Sequence, residues 1–322
     1  MHSIDPALSG LRARLGLSPE VAEALGAGRP VVALESTLVS HGLPYPQNLE
    51  VARAAEAAVR QGGAVPATIA VSGGRILVGL DDATLQALAI SAGVRKVARP
   101  TLAAALADGA LGATTVSATM LAAAAAGIRV FATGGIGGVH PGAFESAGLP
   151  GATRRPPSLD VSVDLEELAR TPVVVVCAGP KAILDVPATL EILETRGVPV
   201  VAVGTDEIPG FFSRSSGIPA PQSVIDVAAA ARLARIHLDL GLGAALLVCV
   251  PVPAGDELPR AEAEAAIARA TREAAAAAVH GPALTPWILR RVGELTGGRS
   301  VRANVALIVN NARVAAALAA AL

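Results

Sequence analysis

VVVVCAGPKAILD, residues 173–185, is the stretch on which the fold turns. Four valines in a row leave no polar side to face water, so Val173–Val176 is expected as a central strand of a parallel sheet, buried on both faces. Gly179 and Pro180 then break the run, and the first charge met is Lys181. The segment from 181 to 196 has helical spacing, which puts this lysine at a helix start. The positive end of that helix and partial burial both disfavour an ammonium and push the pKa down. Such an amine can attack a carbonyl and form a Schiff base. A lysine reaching along the surface to water, or one that binds a phosphate, is the competing reading of the same residues.

The pattern repeats in both directions along the chain. Short β-branched runs (RPVVALEST, ATIAVSGGRILVGL, RVFATGG, VPVVAVGT and ALLVCVPVP) alternate with Ala/Leu-rich segments of helical spacing at 47–61, 82–92, 101–110, 117–126, 221–238 and 258–280. Strands alternating with helices predict right-handed βαβ crossovers, hence an α/β fold of three layers, α/β/α, around a mainly parallel sheet. Ligands of such sheets bind beyond the carboxyl ends of the strands. ESAGLPGATRRPPS, residues 145–158, reads as a surface loop within one domain spanning 1–322, because the βα rhythm resumes directly after it.

Composition narrows the classes of function. Hydrophobic residues make up 52% of the 322 and aromatics 2%, so the core is built from Ala, Val, Leu and Ile. With 26 basic and 27 acidic residues the net charge is -1, which gives no electrostatic reason for a nucleic-acid groove or an anionic membrane surface. Cys177 and Cys249 both lie in apolar runs and are expected as buried free thiols in a reducing cytosol. The N-terminal residues lack the apolar stretch of a signal peptide. Apolar runs such as GLGAALLVCVPVPAG stop at prolines short of the ~20 residues that span a bilayer. A soluble, cytoplasmic protein is expected.

Three further strand ends carry candidate chemistry. Glu35 closes VVAL and opens STLVSHG, either as a cap for the next helix or as a carboxyl held in a pocket. TGGIGGVHPG, residues 133–142, has paired glycines whose N–H groups can form an anion nest for a phosphate or sugar. His140 stands where a dinucleotide fingerprint needs its third glycine, and is a ligand contact or a plain loop histidine. DVSVDL, residues 160–165, read as a strand, sets Asp160, Ser162 and Asp164 on one face. Three oxygen groups so placed suit a hard divalent cation, Mg²⁺ or Mn²⁺; a solvent-facing edge strand is the plain reading.

Taken together, ALESTLVSHGLPYPQN, TIAVSGGRILVGL, RKVARPTL, GATTVSATM, FATGGIGGVH, DVSVDLEELARTPVVVVCAGPKAILD, GTDEIPGFFSRSSG and NVALIVNNA resemble the pseudouridine-5′-phosphate glycosidase family, also called indigoidine-synthase-A-like. The resemblance runs in order from about residue 20. It implies reversible, Mn²⁺-dependent (or other divalent cation) cleavage of the C–C bond between uracil and ribose 5-phosphate, by a homotrimer. Lys181 then matches the nucleophile, Glu35 the proton donor and Asp160 the metal ligand. Lys96, Val116, Ser162, Val163 and Asp164 match substrate-binding positions. His140 falls at the loop histidine, and Asn304 falls near the uracil. The chain departs from the family pattern at Pro141, where an arginine is usual, at Val163, where an alanine is usual, and at Arg99, where more arginines follow R-K-V. Residues 146–158 have the character of an insertion. A different Schiff-base sugar-phosphate lyase or aldolase, and a non-catalytic sugar-phosphate binding protein, are the rival functions. Retention of both Lys181 and Glu35 argues against the latter, since binding needs neither imine nor proton donor.

Overall fold

The computed structural model describes residues 9–144, 157–279 and 284–322. Eleven strands form one sheet: β1 (Leu15–Leu17), β2 (Val31–Leu34), β3 (Val65–Ser72), β4 (Arg75–Val78), β5 (Arg95–Val97), β6 (Gly112–Thr114), β7 (Val130–Ala132), β8 (Val174–Cys177), β9 (Val200–Val203), β10 (Gln222–Val224) and β11 (Leu246–Cys249). The main part runs β10-β9-β11-β8-β7-β2-β3, and every pair in it is parallel. β8 lies in the interior of this order. Its Val174 and Val176 point into one hydrophobic core, and Val173, Val175 and Cys177 belong to the other. The unbroken valine run is thus a strand with no wet face, and burying each such side chain contributes roughly 1.5–3 kcal/mol.

β3 joins two sheet regions. Val65–Thr68 pair in parallel with β2, whereas Ile69–Ser72 pair antiparallel with β4 across the Gly73-Gly74 turn. Ala70 and Val71 also pair with β6, which carries β5 beside it. Ser36 and Thr114 fasten this branch from within: both hydroxyls donate to the Ile69 carbonyl, at 2.6 and 2.7 Å, in a fully buried position. The branch brings β5 and β6 over the ends of the main strands.

Helices cover both faces. The expected segments at 47–61, 82–92, 101–110, 117–126 and 258–280 are present as Gln47–Gln61, Asp82–Ile90, Leu102–Ala107, Val116–Ala126 and Arg260–Ala276. The expected helix over 181–196 is shorter, Val186–Thr195, because Asp185 caps it by accepting the Ala188 N–H at 3.0 Å and Pro187 fits the first turn. Residues 222–224 of the segment at 221–238 are a strand, and the helix there is Val227–Leu240. The helices beyond those expected include Leu284–Leu295 and Arg299–Ala321. The second, of 23 residues, is long and apolar enough to cross a membrane by composition alone. Here it packs between the sheet and Gln47–Gln61, burying Ala303, Leu307, Ala312, Ala315 and Leu318. Cys177 and Cys249 face one another across β8 and β11, both buried and both free.

Candidate active site

The carboxyl ends of β2, β7 and β8 deliver Glu35, Thr133 and Lys181 to one place. Glu35 is buried and accepts a hydrogen bond from the Thr133 hydroxyl. Burial pushes its carboxyl above the usual range, the nearby Asp164 charge adds to the rise, and Lys181, Thr133 and Lys96 pull against it.

Lys181 is half-buried and fixed through its backbone. Its N–H donates to the Ile136 carbonyl at 3.1 Å, and its carbonyl accepts the Leu184 N–H at 3.0 Å. It therefore stands on a bridged extension of β8, clamped to the glycine loop, with Asp185 and the helix still ahead. The placement at a helix start is thus corrected: a turn at residues 182–184 and the bridging Asp185 separate this lysine from the helix at Val186. What does act nearby is Lys96 on β5. Desolvation and the Lys181 charge push Lys96 below the usual lysine range, and Asp164 and Glu35 partly restore it.

Two adjoining cavities meet at these groups. Glu35, Lys96, Lys181, Thr37 and Thr285 line both. The first, about 580 Å³ counting its open mouth, is walled by Leu38, Phe211, Pro286, Leu289 and Ile308, with His41 and Asn304 as further polar groups. The second, about 700 Å³ on the same measure, is lined by Thr115, Val116, His140, Ser162, Val163 and Asp164. So the structure brings together Glu35, Lys181, Lys96, Val116, His140, Ser162, Val163, Asp164 and Asn304 and leaves out Asp160, which is exposed.

The expected strand over 160–165 is not formed. Ser162 caps a helix, Val163–Leu168, its hydroxyl oxygen accepting the Asp164 N–H at 3.2 Å. Asp164 is buried, and its two carboxylate oxygens take the backbone N–H groups of Ser117, at 3.1 Å, and Gly137, at 3.0 Å. It ties the start of the Val116–Ala126 helix to the glycine loop, so it cannot join Asp160 and Ser162 as a cation ligand set. Serine followed by acids is a helix-start signal, and it outweighed the period-two reading. Among the described residues no group of three His, Cys, Asp or Glu side chains converges on a metal position. The Asp160 carbonyl accepts the His140 N–H at 3.0 Å, which holds Asp160 beside the loop that carries His140.

Part of the glycine loop is bonded within the protein. The N–H groups of Ile136, Gly137, Val139 and His140 donate to Gly179, Asp164, Thr189 and Asp160. Its glycines are required by close packing. A Cβ on Gly135 would lie 2.7 Å from the Phe211 ring, one on Gly137 2.2 Å from the Ser162 hydroxyl, and one on Gly138 2.4 Å from Thr189. Arg99 is likewise committed, to the fully buried Glu167. Lys96, His140 and Ser162 are among the side chains that can meet an anion in the second cavity.

Residues 20–321 match the family described as indigoidine synthase A like protein. The chain belongs to this family. It is 55% identical to a pseudouridine-5′-phosphate glycosidase of Paracoccus denitrificans over 310 residues, 96% of this chain and 98% of the relative. A Deinococcus radiodurans protein of the same name is 52% identical over 315 residues, 98% of this chain and 97% of its own. Among solved structures, the prealnumycin C-glycosynthase AlnA in complex with ribulose 5-phosphate superposes with a TM-score of 0.85 at 38% identity, covering 96% of each chain. An indigoidine synthase A-like protein of Thermotoga maritima gives 0.82 at 35%, covering 95% of each.

Several residues of this indigoidine-synthase-A-like site lay outside the sequence reading. Thr133 reads in sequence only as the start of a loop, and its bond to Glu35 joins positions 98 residues apart. Phe211, Thr285 and His41 reach the cavity from separate parts of the chain, and spacing along the sequence carries no trace of that. Asn311, buried in the Arg299–Ala321 helix, donates to the Thr133 carbonyl at 2.8 Å and so holds the loop that supports Glu35. The segment 146–158, expected as an insertion, lies outside the described residues except at its end.

Proposed function

We propose that this chain reversibly cleaves the C–C bond between uracil C5 and C1′ of ribose 5-phosphate in pseudouridine 5′-phosphate, through an imine on Lys181. The observation that carries the reading is the junction. A buried carboxyl, Glu35, and an amine, Lys181, stand where an apolar-walled cavity meets a polar one. A flat base suits the first cavity and a sugar phosphate suits the second, which sets the scissile bond at the meeting point. Full-length relatives at 52 to 55% identity bear the name of this activity.

The atoms balance as follows. Glu35 gives its proton to the ring oxygen as the C1′–O4′ bond breaks, and the electrons of the pyrimidine conjugate C5 with C1′. The Lys181 amine adds to C1′. The adduct nitrogen gives a proton to the Glu35 carboxylate, which regains its acid form; the freed lone pair then forms the C=N bond while the C1′–C5 pair returns to the ring and C5 takes a proton. Water hydrolyses the imine to ribose 5-phosphate and frees the amine. A positioned acid alone supplies about 10²–10⁴-fold, so the covalent route, which divides the barrier, carries the rest. Lys96 and His140 hold the phosphate, and that binding offsets the cost of opening the ring.

Asp160, an exposed carboxylate held beside His140, is the residue that would hold Mn²⁺ or another divalent cation. One oxygen ligand from protein with water elsewhere fits a hard cation, and its bound charge would help orient an anionic substrate. The homotrimer and the cytoplasmic location implied by the family resemblance belong to the same proposal, and two reduced, buried thiols suit that compartment. Sedimentation at equilibrium tests the assembly.

The likeness to AlnA favours a second reading, C-glycoside formation on another aromatic acceptor. One assay separates the two, and a Schiff-base aldolase besides. Uracil released from pseudouridine 5′-phosphate in step with ribose 5-phosphate supports the glycosidase. Release of neither from that substrate contradicts it. Lys181→Ala is expected to release none.

A further inference from the structure

Thr133 is held by all of its polar groups. Its N–H donates to the Val176 carbonyl at 3.0 Å, and its carbonyl accepts from the side-chain amide of Asn311 at 2.8 Å. Its hydroxyl donates to Oε1 of Glu35. Asn311 is fully buried on the Arg299–Ala321 helix, and the same amide nitrogen reaches the Gly134 carbonyl at 3.3 Å. Both partners are carbonyl oxygens, so the amide must turn its nitrogen to them. Its own oxygen is then left buried, with no hydrogen-bond partner among the described residues. Folded proteins seldom tolerate such an atom, and an apolar side chain of that size would avoid it. What the asparagine supplies against that cost is a fixed Thr133. With the backbone pinned and a β-branched side chain stiff about χ1, the hydroxyl has few ways to point. A carboxyl whose Oε1 accepts a hydrogen bond carries its acid proton on Oε2.

We infer that Asn311 is a positioning residue for the general acid: it fixes Thr133, whose hydroxyl orients Glu35 and leaves the proton on Oε2. The inference rests on the glycosidase reading proposed above, and adds to it a fully buried residue that acts on the acid through another. Burial raises the Glu35 carboxyl, and Lys181 and the Thr133 hydroxyl pull it back. Lys96, Lys181, His41, His140 and Asp164 are the charged and titratable groups that share its cavities, and all stay in place in the variants below.

The test compares uracil release from pseudouridine 5′-phosphate by Thr133→Val, Asn311→Leu and the double variant. Each single variant should lose about 10-fold in kcat, the scale of one hydrogen bond, with KM within about twofold of wild type. The double variant should also lose about 10-fold, where independent roles would give about 100-fold. In all three the alkaline fall of kcat/KM should move to higher pH, because the hydroxyl that lowers Glu35 is absent or misdirected. Thr133→Ser, which keeps the hydroxyl, should stay within about threefold of wild type. Borohydride trapping of ribose 5-phosphate on Lys181 should proceed in every variant, which shows that they fold and that the sugar chemistry is intact. Should Asn311→Leu fail to trap the sugar, Asn311→Ala, in a helix already rich in alanine, carries the same expectations. A 100-fold loss in the double variant, or an alkaline limb unmoved by the Asn311 substitution, overturns the inference and leaves the glycosidase reading standing. A wild-type kcat in Thr133→Val does the same without any change at Asn311. Failure of both Asn311 variants to trap the sugar overturns it as well, since the residue then serves folding. No uracil from the wild-type protein sinks both readings.

Discussion

The two cavities that meet at Lys181 are built from different materials. The first is walled largely by side chains, among them Leu38, Phe211 and residues of the two C-terminal helices, with Gly134 and Gly135 beside them. The second is walled by strand ends, a glycine loop and the capped start of the Val163–Leu168 helix, with backbone groups tied to Asp164 and to one another. A cavity made of side chains can be reshaped by substitution without disturbing the fold. One made of interlocked backbone cannot, since a single Cβ at Gly137 meets Ser162 at 2.2 Å. On the proposed function, the difference assigns acceptor choice to the first cavity and sugar-phosphate recognition to the second, with the chemistry shared by Glu35 and Lys181 between them.

That division can be broken at the junction, at the polar cavity or at its rim. Glu35→Gln keeps a side-chain oxygen to accept from Thr133 but has no proton to give. Its kcat should fall by about 10²–10⁴-fold, while ribose 5-phosphate is still trapped on Lys181. A wild-type kcat in this variant removes Glu35 from the mechanism. The same residue sets a pH dependence. As a general acid it must be protonated, so kcat/KM of the wild-type protein should fall as pH rises through its raised pKa. Stability moves in the same direction. The native protein keeps a proton that the unfolded chain loses near 4.5, so stability is lost from 4.5 upward until the raised value is passed. Glu35→Gln should flatten that slope in thermal melts taken across the pH range. A steeper slope in the variant would contradict the assignment.

Lys96→Ala separates the cavities more gently. The KM for ribose 5-phosphate should rise by about 10-fold, the scale of one lost charge-assisted hydrogen bond, while the KM for uracil stays within about twofold. Equal rises in both would show that the cavities are not independent. Asp160→Asn has the smallest expected effect. At saturating Mn²⁺ its kcat should match wild type within a few-fold, and the Mn²⁺ needed for half-maximal activity should rise by about 10-fold. Identical Mn²⁺ titrations for the two proteins would place the cation elsewhere.

The parallel sheet was legible because valine runs buried on both faces admit one arrangement, and β8 is the plainest of them. The strand ends that bear Glu35, the glycine loop and Lys181 followed from it, since adjacent parallel strands bring their carboxyl ends together. What stayed hidden has physical causes. Ser162 and Asp164 alternate like strand residues, yet a capping hydroxyl and two waiting backbone N–H groups drew them into a helix start. The glycines of the loop looked like an opening for phosphate, but they are demanded by the neighbours packed against them. The Arg299–Ala321 helix carries Asn304 and Asn311 on what looks like an alanine-rich surface helix, and only the packing against β2, β7 and β8 makes it part of the site. Side chains that arrive from distant elements, such as His41 and Phe211, have no local pattern to announce them.

The central claim is that the Lys181 amine captures the sugar's anomeric carbon. Incubating the wild-type protein with ribose 5-phosphate, reducing with borohydride and mapping the modified peptide by mass spectrometry tests it most directly. The account predicts one adduct, of the mass of the reduced sugar phosphate, on the peptide containing Lys181. An adduct confined to Lys96 or another side chain, or none at all from a protein that is turning over, would contradict it.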